Sequence, residues 1–144
     1  MTLTFPSPAF MPTARKVALL PYHKFRVLLA LDGSRLTPMV LTAALARCVR
    51  MTDRLDILLV NPPEAPTSML SGLLLRLEHS GIDYRLASSE GDLGEQVLHY
   101  LKRFLGITLV LVDRIALLEE TIGTSLAQLR AKGYRFVSIT EQYP

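Results

Sequence analysis

The sequence holds a single cysteine, Cys48, so no disulfide can close within the chain. It has no tryptophan and only three histidines, His23, His79 and His99, which stand on separate segments without metal-ligand spacing. No apolar run approaches the roughly 18–20 residues that a membrane span requires. The first residues lack a basic start followed by a continuous apolar stretch, so no secretory signal is read and the cytoplasm is the expected compartment. Acidic residues are missing from the first 26 positions, where Arg15, Lys16, Lys24 and Arg26 gather the excess positive charge. The remaining 12 basic residues meet 13 acidic ones. A nearly neutral domain with a short basic arm argues against nucleic acid, whose binders concentrate positive charge on one face.

What is present suits one globular domain. The chain has 144 residues, 49% hydrophobic and 20% charged, enough to bury a core and too apolar for disorder. Pro6, Pro8, Pro12 and Pro21 punctuate residues 1–24, which read as an extended basic arm. Residues 25–144 form the domain.

Within it, strand and helix patterns alternate. Val27–Leu31 is a short unbroken apolar run, as a parallel strand covered on both faces requires, and Leu55–Val60 and Ile107–Val112 read as further buried strands. Ile82–Leu86 alternates and suits an edge, and Tyr134–Thr140 is the fifth strand. Between them run helical stripes: Leu41, Ala44, Leu45 and Cys48; Leu70, Leu73, Leu74 and Leu77; Val97, Leu101, Phe104 and Leu105; Leu126 and Leu129. A loop is expected from Asp113 to Gly123, with the last helix starting at Thr124-Ser125. This order predicts an α/β fold with right-handed crossovers and an open parallel sheet.

Ligands of such sheets sit at the carboxyl ends of the strands, where the strand order reverses. That directs attention to Asp32-Gly33-Ser34, Asn61-Pro62-Pro63 and Asp113 through Ser125. Simple structural roles compete at each place. Asp32 suits a turn cap, and Thr124 and Ser125 suit a helix cap. Cys48 on an apolar stripe reads as a buried thiol, His99 as a surface group, and Glu119-Glu120 as a solvated turn. No acid, base or nucleophile pair emerges, so no enzymatic activity is expected.

The stretch Val27-Leu28-Leu29-Ala30-Leu31-Asp32-Gly33-Ser34 resembles the first strand and turn of the universal stress protein family. Gly81-Ile82, Glu90-Gly91-Asp92 and Leu109-Val110-Leu111-Val112 extend the resemblance over about residues 26–140. It implies a three-layer sandwich, adenine nucleotide alpha hydrolase-like, whose five-stranded parallel sheet has the order 3-2-1-4-5. It also implies a regulatory or stress-response module, and a homodimer joined through the strand at residues 135–140.

Nucleotide-binding members hold ATP or AMP on the first-strand Asp, the end of the second strand, and a loop reading Gly, two residues, Gly, nine residues, Gly-Ser/Thr. By position the resemblance assigns those roles to Asp32, Val60, Asp113, Gly123, Thr124 and Ser125. The loop departs from the pattern. Asp113 and Ala116 stand where glycines belong, and six residues, not nine, separate Ala116 from Gly123. Glycine lets backbone donors approach phosphate, so the loop reads as degraded. A carboxylate at 113 would face phosphate charge, and two like charges about 4 Å apart repel by about 4 kcal/mol at an effective dielectric near 20.

Overall fold

The computed structural model describes residues 26–63 and 68–139, the Met69 side chain excepted. The expected N-terminal arm and Thr140 lie outside the described residues. The strands are β1 (Arg26–Asp32), β2 (Arg54–Val60), β3 (Asp83–Ser89), β4 (Ile107–Val112) and β5 (Arg135–Ser138). The helices are α1 (Pro38–Met51), α2 (Ser68–His79), α3 (Leu93–Arg103) and α4 (Ala116–Ala131). All strand pairs are parallel, in the order β3-β2-β1-β4-β5 that the resemblance implied.

Alternation along the central strands builds two cores. Leu28 and Ala30 of β1 face Val97, Leu101, Leu118 and Leu126 on α3 and α4. Val27, Leu29 and Leu31 face Leu41, Ala44, Cys48 and Leu77 on α1 and α2. Successive strand side chains point to opposite faces, so an unbroken apolar run feeds both layers. The helices begin where their chemistry directs: Thr37 Oγ1 accepts from Val40 N at 3.1 Å ahead of Pro38, and the Asp92 carboxylate accepts from Glu95 N at 3.0 Å. No helix among the described residues is long and apolar enough to cross a membrane.

The sequence expectation fails at α4. The expected loop from Asp113 to Gly123 is mostly helix: α4 starts at Ala116 and continues to Ala131 across a kink at Ile122 (φ −129°, ψ 33°). Ala116-Leu117-Leu118-Glu119-Glu120 are strong helix formers, and Glu119 in the first turn suits the helix dipole. Thr121-Ile122-Gly123-Thr124 are weak ones, which is where the helix bends. Two smaller differences follow. Leu105, expected on a buried stripe, lies beyond the end of α3 and is 80% exposed. The regular part of the last strand stops at Ser138, although Ile139 N still donates to Val112 O at 2.7 Å.

Candidate functional site

The crevice at the carboxyl ends of β1 and β4 is where the strand order reverses. Asp32, Arg35, Leu93, Asp113 and Leu117 of α4 are among its walls. The remaining volume is about 10 Å³, room for one water at most. The first turn of α4 thus stands beside the crevice, where an open loop was expected.

Asp32 is occupied locally. Its carboxylate accepts from Ser34 N at 3.0 Å and Ser34 Oγ at 2.7 Å, capping the 3₁₀ turn Gly33–Arg35, with Arg35 Nε 3.9 Å away. Val60 sits beside Asp32 in register, and its side chain is fully buried in the core. Gly33 presses on the end of β2, where a Cβ would fall 2.1 Å from the Asn61 carbonyl oxygen. Asn61 adopts a positive φ of 55°, and its side-chain amide pairs with the backbone of Gly91 through bonds of 2.9 and 3.0 Å. The loops above the sheet are thus stitched to one another.

The other assigned residues do not join this crevice. Gly123 and Thr124 are exposed on α4 just past the kink, inside the helix and not at its start, so the expected helix N-terminus at Thr124-Ser125 is corrected. Ser125 lines a separate groove between α3 and α4. The structure brings together Asp32, Val60 and Asp113, and leaves Gly123, Thr124 and Ser125 outside. Among the described residues no His, Cys, Asp or Glu group has metal-binding geometry. Burial pushes the Cys48 thiol up to about 12, so it holds its proton at neutral pH. His79 and His99 are exposed.

A buried charge cluster went unread in the sequence. Asp56 lies in the middle of β2, 1% exposed. Its carboxylate accepts from Arg26 Nη2 at 2.6 Å, Arg85 Nη2 at 2.9 Å and Tyr100 Oη at 2.6 Å. Arg85 also lies over the Phe104 ring, 5.0 Å from its centroid. Burial alone pushes the Asp56 carboxyl up, but the hydrogen bonds from Arg85, Tyr100 and Arg26 and the charge of Arg26 outweigh it and hold it below its ordinary value. The signal was a lone Asp inside an apolar strand run, which must find partners on neighbouring strands. Leu28 and Arg85 are its register neighbours, and Arg26 lies two residues before Leu28 on the same face.

Burial, and then the hydrogen bond to Asp56, raise the Tyr100 phenol to about 12. A folded-state value above the ordinary 10 favours the protonated phenol, so its stabilising contribution is complete below pH 10 and is lost as pH rises toward 12. Ultraviolet titration of the tyrosinates should show one phenol ionising together with unfolding. Ionisation of every tyrosine near pH 10 with the fold intact would contradict this.

No protein-family model matches the chain, and no curated protein sequence does either. A solved structure of a protein from the universal stress protein family of Burkholderia pseudomallei is similar, with a TM-score of 0.52. The likeness covers 82% of this chain and 97% of that one, at 19% identity. This chain has the universal stress protein fold. Within that fold, Asp32 and Asp113 line the same narrow crevice.

Proposed function

We propose that the chain is a universal-stress-protein-like regulatory module that acts without catalysis and does not hold ATP. One observation carries this reading: the crevice lined by Asp32, Asp113 and Leu117 offers about 10 Å³, whereas small-molecule pockets run from about 300 Å³. The alternative, an adenine-nucleotide binding protein of the same fold, requires the first turns of α4 to leave that place. Adenosine or AMP would bring less charge toward Asp113 than ATP, so they are the forms that this alternative favours.

Calorimetric titration of ATP, AMP and adenosine tests the choice. Wild type should show no ATP binding at micromolar concentrations. Asp113→Gly relieves the repulsion but leaves Leu117 in place, so it should not restore binding. Micromolar ATP affinity in the wild type would overturn the reading.

The same module is proposed to act as a homodimer through the edge strand β5. Ile139 N donates inward to β4, and alternate residues of a strand share a direction. Val137 therefore also bonds inward, while the amides of Phe136 and Ser138 point away from β4, to the side of β5 that no other strand pairs among the described residues. An unpaired edge is a liability that twofold antiparallel pairing would relieve. Light scattering should give a dimer at micromolar concentration. A monomer at that concentration would remove the dimer from the proposal.

A further inference from the structure

A groove of about 290 Å³ runs between the C-terminal halves of α3 and α4. It opens at the amino end of the sheet, since Leu105 lies just before β4 and Tyr134 just before β5. The narrow crevice lies at the opposite end. Leu98, Leu101, Lys102 and Leu105 reach the groove from one side, and Ser125, Gln128, Leu129 and Lys132 from the other. Leu98, Leu101 and Lys102 on α3, and Ser125, Gln128, Leu129 and Lys132 along α4, follow the spacing of one helical face. Leu105 extends the first wall from the turn beyond α3, so the groove is an apolar trough roughly 10 Å long.

Its charge has one sign. Among the described residues, Lys102 and Lys132 line it, no acidic side chain does, and neither lysine has an ion pair. Lysine near a helix C-terminus already suits the dipole, but that places no leucine trough between two of them. Leucine walls with unpaired cations at the rim fit a molecule with an aliphatic body and one anionic head. We propose that this groove binds free single-chain carboxylates of medium length, with the chain against Leu98, Leu101, Leu105 and Leu129 and the carboxylate at Lys102 or Lys132. No covalent step is involved.

The test is NMR of the full chain with labelled leucine methyls, titrated with butanoate, hexanoate, octanoate and decanoate below their micelle concentrations. Saturable shifts are expected at Leu98, Leu101, Leu105 and Leu129. Affinity should rise about fourfold per methylene until the trough is full. Octanol should bind several-fold more weakly than octanoate, and octylammonium more weakly still. Lys102→Gln with Lys132→Gln should bring octanoate down to the octanol level, a loss of several-fold for two exposed charge pairs. Gln128→Trp, at an exposed position, should fill the trough and abolish the shifts. The lysine variants remain informative if the tryptophan disturbs the fold. Absence of saturable shifts, octylammonium binding as tightly as octanoate, or affinity that ignores chain length would overturn the proposal. Binding to anionic vesicles without any response to soluble octanoate would overturn it too, and would place a lipid surface there instead.

Discussion

Asp56→Ala is expected to lower stability by about 1.5–3 kcal/mol, because it removes hydrogen bonds to a charged group while both arginines keep access to water. The substitution leaves Arg26 and Arg85 without their shared carboxylate and Tyr100 without its acceptor. Arg26 is already constrained, because its Nε is buried and makes no hydrogen bond. Asp56→Asn preserves shape but removes the charge that balances two guanidinium groups, so it should lie between alanine and wild type. Urea unfolding read by circular dichroism gives both values. The pH dependence follows from the depressed carboxyl. Its contribution is present above the unfolded value of about 3.9 and is lost as pH falls through that value toward the lower folded one. Wild type should therefore lose stability in acid more steeply than Asp56→Asn. Parallel acid profiles, or a loss under about 1 kcal/mol in Asp56→Ala, would show that the cluster is dispensable.

Gly33→Ala should be nearly as severe for a different reason. The added methyl would lie 2.1 Å from the Asn61 carbonyl oxygen and 3.0 Å from Pro62 Cα, so backbone opposes backbone. Overpacking commonly costs about 1–3 kcal/mol, and no flexible side chain can yield here, so the upper part of that range is expected. The loop ends of β1 and β2 must part, which should also loosen the Asn61–Gly91 pairing. A melting temperature close to wild type, with unchanged exchange at the Gly91 amide, would refute this. Gly72, whose Cβ would meet nothing within 4 Å, is the control that should tolerate alanine.

These two sites show what the sequence disclosed. The strands at Val27–Leu31, Leu55–Val60 and Ile107–Val112 were legible because a strand covered on both faces is dominated by apolar side chains. The helical stripes were legible through Cys48, Leu77 and Leu101, all of which are buried. Gly33 was visible as a turn residue, but its close approach to Asn61 depends on two strands lying side by side. Asp56 was passed over because its partners come from β1, β3 and α3, which only the folded sheet brings together. The last helix was misread because Gly123 drew the boundary toward itself, although the Ala116–Glu120 stretch has the stronger propensity. That error bears directly on the site: an expected open loop became the helix that stands beside it.

Native mass spectrometry of the freshly purified protein tests the narrow crevice most directly, because it weighs whatever the protein carries. The expected spectrum shows chains free of adenine nucleotide. A spectrum in which each chain carries one ATP or AMP would mean that α4 leaves the crevice in solution, and would contradict the account.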